Sequence, residues 1–169
     1  MKNSKRLALP STLLAMSVIS SVMSPLSIAD TFTGQTASIG VSNWGIFDSS
    51  TTEAFFVQYD YHTLATLYDV KPTLMFMSDV DGNQYYALGA NRYWQVTPNI
   101  TAGFGFSAGY LKHTEELGDN IEFYSRFIAR YHFNAEQAVK FEFGHISNAG
   151  FGDINPGSEN VALSYEWSF

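Results

Sequence analysis

The chain has 169 residues, 16 acidic and 9 basic side chains, a formal charge of −7 and no cysteine. The absence of cysteine removes disulfides and thiolate metal sites, and the acidic balance argues against a nucleic-acid partner, which requires a basic face. Fourteen Phe and ten Tyr carry more apolar surface than one small soluble core readily hides.

The chain opens on a basic head, Lys2, Lys5 and Arg6, followed by an apolar stretch clearest from Leu13 to Met23. Pro25 breaks that stretch, and Ser27-Ile28-Ala29 supplies small residues for cleavage. This is the layout of a secretory signal peptide spanning residues 1–29. A membrane anchor needs about 20 apolar residues, and this stretch is shorter and interrupted by serines. Residues 30–169 then make one domain. It holds all the acids and lacks three of the bases, so it is more acidic than the whole chain.

Beyond residue 30 no long apolar run occurs, but residues alternate repeatedly between apolar and polar. Eight segments read as strands, near 35–44, 53–62, 70–78, 84–95, 98–111, 120–133, 136–147 and 159–169. Turn signals separate them: Asp48-Ser49-Ser50, Asp81-Gly82-Asn83, Thr97-Pro98-Asn99, Gly118-Asp119-Asn120, Asn134-Ala135-Glu136 and Asn155-Pro156-Gly157. The stretch Thr63 to Tyr68, between the second and third strands, reads equally as helix or as continued strand. In the sixth strand Phe123, Phe127, Ala129, Tyr131 and Phe133 oppose Glu122, Tyr124, Arg126, Arg130 and His132. In the seventh, Phe141, Phe143, His145 and Ser147 oppose Lys140, Glu142 and Gly144. In the eighth, Val161, Leu163, Tyr165, Trp167 and Phe169 oppose Asn160, Ala162, Ser164, Glu166 and Ser168. A period of two marks a strand with one apolar and one polar face.

A soluble sandwich would turn the apolar faces inward, and a transmembrane barrel would turn them outward. Three features select the barrel. Arg126, Arg130, Lys140, Glu142 and Glu166 sit on the polar faces with both signs on neighbouring strands, so they can pair in a lumen where unpaired burial is costly. Strands of about ten residues match a tilted membrane strand. The aromatic ending Tyr165, Trp167, Phe169 resembles the terminal signal of bacterial outer-membrane barrels. The predicted fold is therefore all-β, an eight-stranded antiparallel transmembrane β-barrel of the bacterial outer membrane, too narrow for a pore. His132 falls on the lumen face as an interior histidine, His62 near a periplasmic turn, and His113 in an external loop. An even strand number places both termini in the periplasm. Odd strands then climb outward, and the loop 148–158 lies outside the cell.

That loop lies inside the stretch that carries chemistry, His145-Ile-Ser-Asn-Ala-Gly-Phe-Gly-Asp-Ile-Asn-Pro-Gly-Ser-Glu159. It offers a base, a nucleophile and an acid. His145 and Ser147 continue the Phe141–Phe143 row and Glu159 continues the Val161–Leu163 row, so all three point away from the lumen. If 145 lies opposite 159, the cross-strand gap is about 5 Å and the step from 145 to 147 about 6.6 Å. A lone His-x-Ser is weak evidence, and a polar row at a strand end is ordinarily just the membrane interface. Here an acid on the adjacent strand shares the face, Asn148 and Asn155 stand near as oxyanion donors, and Gly150, Gly152 and Gly157 allow close backbone approach.

The sequence His145-x-Ser147-Asn148-Ala149-Gly150, followed by Asn155-x-Gly157-x-Glu159, resembles the signature of PagL-type lipid A 3-O-deacylases. The resemblance is sharp over 145–159, while leader, strand number and length agree over nearly the whole chain. It implies that Ser147 is the nucleophile, His145 the general base and acid, and Glu159 the carboxylate that orients the imidazole. Asn148, Ala149, Gly150 and Asn155 would stabilise the oxyanion or position substrate. The implied reaction removes the ester-linked 3-hydroxyacyl chain at position 3 of lipid A, in the lipopolysaccharide of the outer leaflet. The triad needs neither metal nor cofactor. The rival functions are another outer-leaflet lipid esterase or acyltransferase, and a structural or adhesive barrel without enzyme activity. A homodimer through the exposed faces stays open. Acids in the segments placed outside (Asp79, Asp81, Glu115, Glu116, Asp119 and Asp153) sit oddly beside an anionic lipid, with Lys112 and His113 as nearby offsets.

Overall fold

The computed structural model describes residues 34–48, 51–112 and 117–169. The expected leader, residues 1–29, lies outside the described residues, as do His113, Glu115 and Glu116. Eight strands follow in chain order: β1 Thr36–Trp44, β2 Thr52–Asp60, β3 Val70–Asp79, β4 Gln84–Thr97, β5 Ile100–Lys112, β6 Ile121–His132, β7 Gln137–Ser147 and β8 Ser158–Ser168. Each pairs antiparallel with its chain neighbour, and β1 pairs with β8 to close the barrel. Closure leaves no unpaired edge, which a strand exposed to lipid could not tolerate.

The stretch between β2 and β3 settles as neither long helix nor strand. A short 3₁₀ turn, Ala65–Leu67, is followed by Tyr68 and Asp69 at φ 57° and 60°, and a single bridge from Leu64 to Val70 closes the connection. Two successive left-handed residues reverse the chain without a glycine, a geometry that alternation cannot announce. Two of the acids placed in outer loops are turn caps. The Asp79 carboxylate accepts the amides of Asp81 and Asn83 at 3.0 and 2.8 Å, and Asp119 Oδ1 accepts the Asn120 amide at 2.5 Å. Carboxylates favour such turns because they bond their own backbone.

The alternation sorts side chains as a membrane barrel requires. Outward, Phe55, Phe104, Phe106, Phe127, Phe141, Leu163 and Trp167 are exposed. Inward, the lumen divides in two. Near the end carrying the β7–β8 connection, Phe56, Met77, Tyr85, Leu111, Tyr124 and Ile146 form an apolar plug. Near the other end, charges pair in the buried interior. Arg130 Nη2 lies 3.2 Å from Asp60 and 3.1 Å from Glu166, and Lys140 Nζ lies 3.3 Å from Glu142. Asp60 also accepts from Gln58, Thr73, Asn91 and Tyr93 at 2.6–3.0 Å. A buried carboxylate is tolerated when cations and donors surround it in this way. His132, on the lumen face, is buried with its ring nitrogen bonded to Thr101. The plug gives the strands beneath the β7–β8 loop a solid floor, because Ile146 and Tyr124 are fully buried there.

Candidate active site

The register of β7 and β8 pairs His145 directly with Glu159. Their neighbours Gly144, Ile146, Ser158 and Asn160 are buried in the lumen, so period two turns His145, Ser147 and Glu159 out of the barrel. The imidazole Nδ1 lies 3.1 Å from Glu159 Oε1. The ring is 46 % exposed and the carboxylate 33 %. A carboxylate on Nδ1 fixes the tautomer that leaves Nε2 free as an acceptor. Ser147 lies two residues beyond His145 on the same face and is half-buried. Among the described residues no hydrogen bond joins it to the imidazole. Such bonds are often long in a substrate-free site and tighten when substrate seats.

The β1–β2 connection braces Glu159. The amides of Gly45 and Ile46 both donate to its backbone carbonyl, at 2.9 and 3.2 Å, and Ser158 Oγ donates to Asp48 at 3.3 Å. The β7–β8 loop is held by Asn148. Its side-chain Nδ2 donates to the carbonyls of Ile154 and Leu117, at 2.7 and 3.2 Å. Its Oδ1 accepts the Gly150 amide at 2.9 Å, and its own amide donates to Asn155 Oδ1 at 3.1 Å. Asn148 is fully buried, so its side chain is a clamp that holds the loop and ties it, through Leu117, to the connection between β5 and β6, already committed at both polar atoms. The Gly150 amide is likewise engaged. Of the four predicted donor positions, 148, 149, 150 and 155, the Ala149 amide, at a residue with φ 55°, and the Nδ2 of exposed Asn155 stay uncommitted among the described residues. The clamp was not readable from sequence, where Asn148 stood only as a donor candidate.

On the outer face, Phe123 pairs across strands with Ser147, and Ser125 with His145. Phe106, Phe123 and Phe151 form a continuous row, with ring centroids 6.0 and 5.8 Å apart. This apolar wall beside the serine went unremarked in sequence. Phe123 was visible there as an outward residue, but its partner depends on register.

A closed eight-stranded barrel with an apolar outer belt and a paired-charge lumen is an outer-membrane protein. The profile of the family described as lipid A 3-O-deacylase (PagL) matches residues 41–168, and the chain belongs to that family, whose activity is hydrolysis of the 3-O-acyl ester of lipid A. Solved structures agree on the fold. The crystal structure of the outer membrane enzyme PagL superposes with TM-score 0.58 at 20 % identity, covering 79 % of this chain and 99 % of that one. A de novo designed transmembrane β-barrel gives 0.61 at 13 %, covering 81 % and 96 %. Neisserial surface protein A gives 0.56 at 9 %, covering 80 % and 97 %. No curated protein matches the sequence.

Proposed function

We propose that Ser147, His145 and Glu159 carry the deacylation as a serine-esterase triad, on the lipid-facing surface at the outer-leaflet rim. The observation that carries this reading is the 3.1 Å bond between His145 Nδ1 and Glu159, made across two strands and outside the barrel. A serine hydroxyl is a weak nucleophile until a base takes its proton, and an imidazole held by a carboxylate on one nitrogen presents the other for that purpose. In the reaction Ser147 Oγ bonds to the ester carbonyl carbon while its proton passes to His145 Nε2. The tetrahedral intermediate collapses, the bond to the sugar 3-oxygen breaks, and the imidazolium returns the proton to that oxygen. Water, deprotonated by the same imidazole, then attacks the acyl-serine and releases the 3-hydroxy fatty acid. Glu159 balances the imidazolium charge at both steps.

The oxyanion needs preorganised donors, which are worth about 3–4 kcal/mol in sites of this kind. Of the predicted positions, the Ala149 amide and Asn155 Nδ2 are free to serve it. The phenylalanine row beside Ser147 offers the acyl chain an apolar surface. An outward site on a membrane barrel meets only lipid, and in the outer leaflet that lipid is lipopolysaccharide. Two copies could pair through the apolar faces, a question for cross-linking in membranes.

Mass spectrometry of lipid A from cells expressing the chain, beside cells expressing Ser147→Ala, tests the assignment. Loss of one ester-linked 3-hydroxyacyl chain with Ser147 and full retention with Ala is the expected result. Equal deacylation by both would remove Ser147 from the mechanism.

A further inference from the structure

We propose that Gly157 is a positioning residue of this active site, and that the side chain it lacks is the space occupied by the imidazole edge of His145. The inference rests on the triad reading above. A Cβ built on Gly157 would fall 2.5 Å from His145 Cε1 and 3.0 Å from Nε2. Continuing the register one step beyond Ile146–Ser158 sets position 157 opposite Ser147. The ring therefore has Nδ1 on Glu159 and its Cε1–Nε2 edge over the rung that carries the nucleophile.

A glycine here could be explained by backbone alone, since its φ is 67°. Gly82 separates the two explanations, while Gly118, at φ 89°, also collides, but with Ile154 and not with a group of the site. Gly82 has φ 94° and nothing within 4 Å of an added Cβ. Gly157 combines a positive φ with a collision, and the collision is with the base. The strand cannot easily yield, because the β1–β2 amides hold the Glu159 carbonyl at 2.9 and 3.2 Å. The exposed end of a side chain is the softer partner, so the imidazole would swing. A swing breaks the Nδ1–Glu159 bond or turns Nε2 away from Ser147. Misplacing a reacting group by about 1 Å can cost about 10²-fold in rate.

The purified full-length protein in detergent micelles provides the test, with lipid A as substrate. Gly157→Asn is the informative variant. Asn enters the left-handed region several-fold more readily than most residues, so it spares the backbone and adds the Cβ. Gly82→Asn is the matched control. Three signals are read: deacylation rate, labelling of Ser147 by a fluorophosphonate, and the Nδ1–H resonance of His145 in ¹⁵N-histidine spectra, assigned by its loss in His145→Ala. Gly157→Asn should fold, lose about 10²-fold in rate and in labelling, and shift or lose the Nδ1–H resonance. Gly82→Asn should match the wild type in all three. A Gly157→Asn rate within a few-fold of wild type overturns the inference and leaves the triad standing. Unchanged activity in Ser147→Ala overturns the triad instead, at the control that precedes the comparison. If Gly157→Asn failed to fold, the same change in a His145→Ala background decides: recovery of the folded barrel supports the collision, and continued misfolding refutes it.

Discussion

At the scale of single residues, the proposed triad divides its labour between two strands that share one face. β7 supplies Ser147 and His145, and β8 supplies Glu159. Placing the carboxylate on a neighbouring strand makes the hydrogen bond a consequence of register, which the closed barrel fixes on both sides. Glu159→Gln keeps the shape and can still bond the ring, but it offers no charge to the imidazolium. In buried triads the equivalent change costs about 10⁴-fold. Glu159 is 33 % exposed, so water and ions can replace part of its effect. The expected fall in kcat is about 10²- to 10³-fold, with KM little changed because the carboxylate does not touch the acyl chain. Steady-state deacylation of lipid A in micelles measures it. An unchanged kcat would show that the imidazole needs no partner here.

At the scale of elements, the strands were legible and the loops were not. Period two survives in every strand because each has lipid on one side and a packed lumen on the other, so a slip of one residue would exchange the two environments. The predicted ends fell within a few residues of the observed ones. The apposition of His145 and Glu159 was legible for the same reason. Loop interiors obey local hydrogen bonding instead. Nothing in the alternation distinguishes Asn148 as a clamp from Asn148 as a donor, or Gly157 as room for an imidazole from Gly157 as a turn. Tyr68 and Asp69 adopt left-handed backbone with no glycine to signal it. The clamp makes its own prediction. Asn148→Ala removes side-chain bonds to Leu117, Ile154 and Gly150; the buried Leu117 carbonyl is left unsatisfied at about 1–3 kcal/mol, while the exposed Ile154 and Gly150 groups turn to water. That loss falls on the β7–β8 loop and its tie to the β5–β6 connection, because no strand pairing depends on it. Limited proteolysis should therefore cut between 148 and 157 faster than in wild type, while the barrel keeps its thermal unfolding temperature. Activity should fall with the loop, since Ala149 and Asn155 lose their placement. Equal cutting rates in the two proteins would mean the loop is held elsewhere.

At the scale of the whole molecule, the paired charges of the lumen and the proposed triad occupy opposite ends of one barrel. The apolar plug of Phe56, Met77, Tyr85, Tyr124 and Ile146 stands beneath the site, and the paired charges fill the other half. The two halves can be separated by mutation. Arg130 touches both Asp60 and Glu166 and lies against the Tyr93 ring, 3.3 Å from its centroid. Arg130→Met keeps the bulk and removes the charge, which leaves two buried carboxylates without the cation between them. Breaking a buried pair this way costs about 3–5 kcal/mol. Asp60 retains donors from Gln58, Thr73, Asn91 and Tyr93, whereas Glu166, among the described residues, keeps only the long 3.4 Å contacts of Thr36 and Ser38. Glu166 is therefore the partner left worse off, and Glu166→Gln added to Arg130→Met should return much of the loss. Urea unfolding followed by the mobility of the folded barrel on gels reads both variants. The molecules that remain folded should deacylate at the wild-type rate, because His145, Ser147 and Glu159 stand on the other side of the plug. A slower rate per folded molecule would show instead that the lumen charges reach the triad through β7 and β8.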